Sequence, residues 1–250
     1  MTRMLIAALA LLALAAPRAA ALDPTALPGL APRSAEVSLA AVARLRAASR
    51  AAGGCTAVLI APDLALTAGH CARGAVSGAD AMQLIFRPDR RPPAFRVTVR
   101  GVAFHADNDR GPLTARNAHA DLALLQLAVP VPPEVARPIP PGAGAQAGRV
   151  AIYGYVNGGA EVLRGHPACR LGTLAPGLLG SDCRVVSGLS GSPVLSGGPG
   201  DWRLEGIAVA TVGGGELRAF IADVVPWPEF AGPYALDAPP APQAAPQAAP

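Results

Sequence analysis

The sequence predicts an all-β protein in which short strands form a sandwich or a barrel. Short apolar runs recur along the chain, and nearly every connection between them carries Gly, Pro or Asn. The run Phe95–Val102 alternates apolar with polar side chains, as a half-buried strand does, whereas Leu122–Val129 is apolar throughout, as a buried strand is. Many short strands separated by turn residues are typical of β-sandwiches and β-barrels.

The other strands are predicted from the same signals. Pro62-Asp63 is a turn signal between two apolar runs, and a loop rich in Pro and Arg separates the next two. The stretch Pro130–Gly148, rich in Pro, Gly and Ala, predicts a linker between two halves of the chain. The remaining predicted strands are Thr56–Ala61, Leu64–Ala68, Met82–Phe86, Arg149–Tyr155, Arg170–Leu174, Ser192–Leu195, Trp202–Val212 and Glu216–Ile221.

Two segments carry helical signals. Ser34–Arg50 places small and apolar residues on one helical face and begins with a candidate N-cap, but a strand is also open there. Val224–Phe230 contains Pro226 and Pro228, which restrict any helix at this point to a short one.

The first residues predict export. Met1–Ala21 has a basic start, an apolar run over Met4–Ala16 and small residues at its end, which is typical of a cleaved secretory signal peptide. The alternative, a membrane anchor, needs about 20 apolar residues. Residues 22–33 are a candidate pro-segment, and Arg33-Ser34 would be its processing site. We therefore expect a secreted or periplasmic protein with no membrane span after cleavage.

The folded part is expected to be one domain over residues 34–234. Residues 235–250 are rich in Pro and Ala and predict a disordered tail, with a cell-envelope tether as the alternative. The chain is 51% hydrophobic and 15% charged, which is enough apolar content for a packed core. Its net charge is +4, and its densest arginine cluster, Arg87–Arg100, accompanies no nucleic-acid-binding motif. The charge therefore indicates a solvated surface and no nucleic-acid partner.

Four cysteines in an exported chain predict two disulfides, with three pairings open. They are Cys55, Cys71, Cys169 and Cys183. Sequential pairing would close two loops of about 15 residues each. Their spacings lack the C-x2-C and H-x3-H patterns of zinc sites, so no metal is expected.

Ser190 lies in the segment Gly188-Leu189-Ser190-Gly191-Ser192-Pro193. A serine hydroxyl needs a nearby base to act as a nucleophile, and a tetrahedral intermediate needs N–H donors for its oxyanion. Gly188 permits a tight backbone that would direct the N–H groups of Gly188 and Ser190 to one point. The alternative is an ordinary turn, because serine–glycine strings are common in loops.

The order of residues along the chain restricts the hydrolase class. All four histidines precede Ser190: His70, His105, His119 and His166. The α/β-hydrolase order places the histidine after the serine, which excludes that fold for a Ser190 nucleophile. A subtilisin order could use Asp63, but the α/β pattern of that fold is absent. The order His, Asp, Ser remains.

His70 and Asp121 fit the other two positions. His70 follows an apolar run that predicts a strand, and Cys71 comes next. Asp121 opens a buried strand, where its carboxylate can accept the imidazole Nδ1–H and select the tautomer. Asp107 and Asp109 lie in a polar loop that precedes no apolar strand, which indicates solvated turn residues.

These segments resemble the trypsin/chymotrypsin-like serine proteases. Thr67-Ala68-Gly69-His70-Cys71 is similar to the T-A-[AG]-H-C motif of that family, and Asp121-Leu122-Ala123-Leu124-Leu125 to its D-[IL]-A-L-L motif. The resemblance extends from about Ala40 to Phe230. It implies two antiparallel six-stranded β-barrels, an active site in the cleft between them, and a first strand at Ala40–Arg46.

The resemblance also implies the roles of residues. His70 would be the base, Asp121 its orienting acid and Ser190 the nucleophile, with the N–H groups of Gly188 and Ser190 as oxyanion hole and no cofactor. The strand that begins at Cys55 matches the family strand that carries the partner of Cys71, which leaves Cys169 with Cys183. A peptide substrate would add as a strand beside Ala208, Val209, Ala210 and Thr211.

Two positions depart from the family pattern. Leu189 stands where many animal members carry an Asp that pairs with a freed N-terminal amine, and no I-V-G-G-like sequence is present. The loop around Ser190 must then be held in another way. Arg184 stands six residues before Ser190, where trypsin-type members carry the Asp of the specificity pocket. A cation there would repel basic substrates and favour acidic or small side chains.

The leading hypothesis is a secreted serine endopeptidase, a monomer that hydrolyses protein or peptide substrates through an acyl-enzyme. The alternative is a catalytically inactive, protease-like binding module of the cell envelope. A structural envelope protein displayed on its tail is a third reading, and it predicts no reactive serine.

Overall fold

The structure, a computed structural model, describes residues 38–47, 54–76, 82–90, 93–143, 148–158, 161–213 and 216–224. The predicted signal peptide, pro-segment and Pro/Ala-rich tail lie outside these residues, as do all but the first residue of Val224–Phe230. Among the described residues, no helix has the length and apolar character that crossing a membrane requires.

The first half of the chain forms a closed antiparallel barrel. Its strands, in spatial order, are β1-β2-β3-β6-β5-β4. β1 pairs with both β2 and β4, which closes the sheet. The strands are β1 (Val42–Ala47), β2 (Cys55–Ala61), β3 (Leu64–Ala68), β4 (Met82–Phe86), β5 (Phe95–Phe104) and β6 (Leu122–Leu127).

The second half forms another closed barrel with the same topology. Its order is β7-β8-β9-β12-β11-β10, and β10 pairs with β7 to close it. Each strand of the first barrel thus has a counterpart six places later, although no repeat is evident in the sequence. The strands are β7 (Gly148–Gly154), β8 (Arg164–Ala175), β9 (Leu178–Ser181), β10 (Pro193–Ser196), β11 (Arg203–Thr211) and β12 (Ala219–Asp223).

The apolar core of the first barrel continues into the second. Phe86, Leu59 and Leu66 are fully buried in the first barrel, and the same cluster includes Tyr155 and Ile207 of the second. Fully burying a side chain of this kind stabilises a fold by about 1.5–3 kcal/mol. The two barrels therefore share a packed interface, which gives the side chains along it fixed positions.

The predicted all-β fold with two six-stranded barrels is confirmed. In the segment Ser34–Arg50, the described residues contain the strand Val42–Ala47, which agrees with the favoured first strand at Ala40–Arg46, and the helical alternative was wrong there. β9 was not predicted, because Leu178–Ser181 is short, contains Gly180 and is buried throughout instead of alternating. Between the barrels, residues 130–143 contain one isolated bridge, from Pro141 to Leu204.

Other strand boundaries differed from prediction. β8 begins at Arg164, six residues before the predicted Arg170, because its first half contains Gly and Pro and carries no continuous apolar signal. A short helix, α1 (Gly69–Val76), was also missed. Its sequence holds two glycines and lacks an acidic residue in the first turn, so local propensity argued against it.

Candidate active site

Strand pairing brings His70 and Asp121 together. β3 and β6 are neighbours in the first barrel, with Ala68 opposite Leu122. His70 follows β3, in the first turn of α1, and Asp121 immediately precedes β6. His70 Nδ1 lies 2.5 Å from Asp121 Oδ2, and the His70 backbone N–H donates to Asp121 Oδ1 at 2.9 Å. The carboxylate therefore holds both the ring and the backbone of the histidine.

The surroundings of Asp121 keep its carboxylate fixed. Its side chain is 2% exposed, and Arg73 Nη2 lies 3.7 Å from Oδ1. A buried charge of this kind needs such partners. Gly69 makes the close approach possible, because a Cβ there would lie 2.4 Å from Asn108 Nδ2 and 2.9 Å from Asp121 Oδ1. Nothing in the local sequence marks Arg73 or Asn108 as residues of this site.

The start of β2 connects the segment of Ser190 with that of His70. The Thr56 N–H, in β2, donates to the Ser190 carbonyl at 2.8 Å. The preceding residue, Cys55, forms a disulfide with Cys71, next to His70. The start of β2 thus contacts Ser190 through Thr56 and the residue next to His70 through Cys55. Within the described part of the chain, no hydrogen bond joins Ser190 Oγ to His70 Nε2; such bonds are often long in the absence of substrate.

In the Ser190 loop, residues 186–191, only some of the backbone N–H groups donate to an acceptor among the described residues. The Leu189 N–H donates to Val186 O at 2.9 Å, and the Gly191 N–H donates to Ala208 O at 2.8 Å. Among the described residues, the N–H groups of Gly188 and Ser190 have no hydrogen-bond acceptor. Two unpaired N–H groups on one tight loop can both bind an anionic oxygen.

Two glycines in this loop are required by its geometry. Gly188 has φ +98°, and a Cβ there would lie 2.4 Å from the Tyr155 carbonyl oxygen. Gly191 has φ +82°, and a Cβ there would lie 2.0 Å from the Thr56 carbonyl oxygen. Both are in a left-handed conformation that favours glycine. The loop therefore packs its backbone directly on β2 and on the residues after β7.

The proposed substrate strand offers an open edge. β10 pairs with β11 only as far as Ile207. Ala208 donates its N–H to Ser192 O, and beyond it that edge of β11 has no strand partner among the described residues. Ala208 and Val209 are buried, Ala210 is half-buried and Thr211 is exposed. The Thr211 hydroxyl donates to the Val185 carbonyl, which joins this edge to the segment before Ser190.

Arg184 lies on the surface beside that segment. It is exposed, and its carbonyl oxygen accepts a hydrogen bond from His166 Nε2 at 3.1 Å. Close by, Cys183 forms the second disulfide with Cys169 of β8. His166 was not predicted to contact this segment, because its hydrogen-bond partner, Arg184, is distant from it along the chain.

One cluster has the composition of a metal site. Cys55, His70 and Cys71 place their ligand atoms within 4.8 Å of one another. Both sulfurs belong to a disulfide, and His70 Nδ1 is held by Asp121. This donor set is therefore already satisfied and does not fit a metal ion.

The comparisons with known proteins agree with the two-barrel fold. The family model of the trypsin-like peptidase domain matches residues 55–207. A solved structure of a Glu endopeptidase in complex with MPD is similar in fold, with a TM-score of 0.62 and 16% sequence identity. The alignment covers 82% of this chain and 94% of that one. No curated protein matches the chain at the sequence level.

The matched segment begins at the cysteine of β2 and includes His70, Asp121 and Ser190. It spans more than half of the chain and parts of both barrels. The chain belongs to the trypsin-like peptidase family.

Proposed function

We propose that this protein is an exported serine endopeptidase in which Ser190, His70 and Asp121 act as the catalytic triad. The observation that carries the proposal is the double hydrogen bond from His70 to the buried Asp121 carboxylate. A carboxylate held against Nδ1 keeps the proton on that nitrogen, so Nε2 has a free lone pair and can accept the Ser190 proton.

The reaction then follows from the residues in place. Ser190 Oγ attacks the carbonyl carbon of the scissile bond while its proton passes to His70 Nε2. The N–H groups of Gly188 and Ser190 bind the oxyanion that forms. The intermediate collapses when His70 protonates the leaving amine, which yields the acyl-enzyme. Water, deprotonated by His70, hydrolyses this ester and restores the Ser190 hydroxyl.

The substrate is proposed to bind as a strand along the open edge of β11. Main-chain groups of Val209 and Thr211 lie beyond the last residue paired to β10. Added strands gain affinity from main-chain hydrogen bonds and specificity from pockets for alternate side chains. The exposed Arg184 supports a preference for an acidic substrate residue, and the similar solved structure is that of a Glu endopeptidase.

The competing function is an inactive binding module of the cell envelope. It needs the same fold but no reactive serine. The N–H groups of Gly188 and Ser190, which lack an acceptor among the described residues, favour the enzyme. Two such donors beside a serine can bind an oxyanion, which an inactive binding module does not require.

Fluorophosphonate labelling tests the proposal. The wild-type protein should be labelled once, at Ser190, as mapped by mass spectrometry of a digest. Ser190→Ala and His70→Ala should abolish the label while the circular dichroism spectrum stays that of an all-β fold. Absence of labelling in folded wild-type protein would overturn the enzymatic function and leave the binding module.

A further inference from the structure

Resting on the proposed function, we propose that an inter-barrel clasp of Arg44, Thr56 and Asn157 holds the Ser190 loop in its working conformation, with Asn157 as a positioning residue. The clasp joins side chains from β1 and β2 of the first barrel to the turn after β7 of the second. The clasp would replace the Asp that many animal members carry beside the nucleophile, a position that Leu189 occupies in this chain.

The loop needs such support because its own anchor is apolar. Leu189 is fully buried and packs in the core of the second barrel with Ile152 and Val194. Apolar packing fixes the position of the loop but is non-directional. The direction of the two oxyanion N–H groups must therefore be set by hydrogen bonds.

Asn157 supplies one of these directions. Its backbone N–H donates to the Ser187 carbonyl at 2.9 Å, and its Nδ2 donates to Ser187 Oγ at 2.9 Å. The Ser187 carbonyl and the Gly188 N–H belong to one planar peptide group and point in opposite directions. Holding the carbonyl therefore aims the Gly188 N–H.

The other side of the Asn157 amide is held by the first barrel. Its Oδ1 accepts from Arg44 Nη2 at 2.6 Å and from the Gly54 N–H at 3.0 Å. Arg44 is only 5% exposed, and burial lowers the pKa of its guanidinium while Glu161 raises it. Gly54 leaves the room for this side chain, since a Cβ there would lie 2.7 Å from Arg44 Nε.

Thr56 fixes the peptide on the other side of Gly188. Its Oγ1 donates to the Gly188 carbonyl at 2.9 Å and accepts the Tyr155 N–H at 2.9 Å. Its own N–H donates to the Ser190 carbonyl. The contacts of the clasp come from β1, β2 and the loops beside β2 and β7, so this way of ordering the loop uses no N-terminal amine.

The test compares Asn157→Ala with Asn157→Asp, using the rate of fluorophosphonate labelling of Ser190. Asn157→Ala should label about 10- to 100-fold more slowly, because a misdirected oxyanion donor loses transition-state stabilisation. Asn157→Asp should stay within about threefold, since its oxygens still accept from Arg44 and Gly54 and from the Ser187 hydroxyl. With a peptide substrate from a library digest, Asn157→Ala should lower kcat and leave KM unchanged.

Ser38→Ala is the matched control. It removes the hydroxyl that accepts a hydrogen bond from Trp202 Nε1 at 3.2 Å, in a region that contains none of the triad. It should label at the wild-type rate. An equal loss in Ser38→Ala and Asn157→Ala would overturn the clasp, because general loosening of the interface would then explain both.

Wild-type labelling separates this proposal from the proposed function. An unlabelled wild type overturns the enzymatic function itself, whereas labelled wild type with an equally reactive Asn157→Ala overturns only the clasp. If Asn157→Ala does not fold, Ser187→Ala serves as the second variant. It removes an exposed hydroxyl and with it the hydrogen bond from Asn157 Nδ2. It should label about 3- to 10-fold more slowly, and an unchanged rate would overturn the clasp.

Discussion

At the scale of single residues, Asp121 has two roles. Its Oδ2 lies against the His70 ring, and its Oδ1 accepts the His70 backbone N–H, which is among the first donors of α1. The first N–H groups of a helix have no partner inside the helix. Asp121 thus orients the His70 side chain and caps α1 at the same time, although it lies 51 positions after His70 in the sequence.

Asp121→Asn should therefore separate geometry from tautomer. The amide Oδ1 can still accept the His70 N–H, but the Nδ2 group would donate to Nδ1 and leave the proton on Nε2. We expect kcat to fall by about 10³- to 10⁴-fold with little change in Tm. Steady-state kinetics and a thermal melt measure both, with the exposed Asp201→Asn as control. Activity near that of the wild type would contradict the proposed role.

Arg184 offers a second prediction at this scale, on substrate preference. An exposed cation attracts an anionic side chain by about 0.2–1 kcal/mol. Arg184→Ala should therefore reduce the ratio of kcat/KM for Glu-containing over Ala-containing peptides by about 1.4- to 5-fold. Arg218→Ala, on the segment that precedes β12, is the control. An unchanged ratio in Arg184→Ala would remove Arg184 from the substrate site.

At the scale of elements, the start of β2 organises the site. Cys55 is bonded to Cys71 of α1, and Thr56 donates to the Ser190 loop. Thr67 of β3 adds a bond from Oγ1 to the Thr56 carbonyl at 2.7 Å. His70 and Ser190, the proposed base and nucleophile, are therefore both positioned relative to one strand, and the disulfide ties that strand to the residue after His70.

The two disulfides should differ in their effect on activity. They enclose similar loops, with sequence separations of 16 and 14. Removing either by paired Cys→Ala substitution should cost about 3 kcal/mol in stability, which lowers Tm by roughly 6–12 °C. At temperatures below Tm, where both variants are folded, only the Cys55/Cys71 variant should also have a lower kcat, because only this variant releases α1 from β2. Equal kcat in both variants would contradict this.

At the scale of the whole molecule, two barrels of identical topology are joined by a shared core and by the clasp. The second barrel also contains two acidic side chains, Asp223 at the end of β12 and Glu205 in β11. Asp223 Oδ1 and Glu205 Oε2 are buried without a hydrogen-bond partner among the described residues. Burial, and secondly the charge of Glu205, raise the pKa of Asp223.

This carboxyl should make stability depend on pH. Because the pKa of Asp223 is higher in the folded state than in the unfolded state, its contribution is fully present below the unfolded pKa. It is lost as pH rises through the folded pKa. Asp223→Asn should therefore raise Tm at pH 8 by about 2–4 °C, the equivalent of 1 kcal/mol, and flatten the pH profile. Asp107→Asn is the exposed control, and a lower Tm for Asp223→Asn at pH 8 would contradict the prediction.

Much of the fold could be predicted because its signals are local. Alternation in Phe95–Phe104, the apolar run after Asp121 and the turn at Pro62-Asp63 are each read within ten residues. Alternation failed for β9, since Leu178–Ser181 is buried along its whole length. The site residues were proposed on the same basis, from short motifs and their order.

The sequence by itself determined most of the strands, the family and the order of His70, Asp121 and Ser190. Only the tertiary structure decided what surrounds them: α1 capped by Asp121, Arg73 beside that carboxylate, and Asn157 between Arg44 and Ser187. The physical reason is the distance along the chain. Strand and turn preferences act between near neighbours, whereas the cap and the clasp join residues 30 to 132 positions apart. The cap forms when β3 and β6 pair in the first barrel, and the contact between Arg44 and Asn157 forms only when the two barrels pack together.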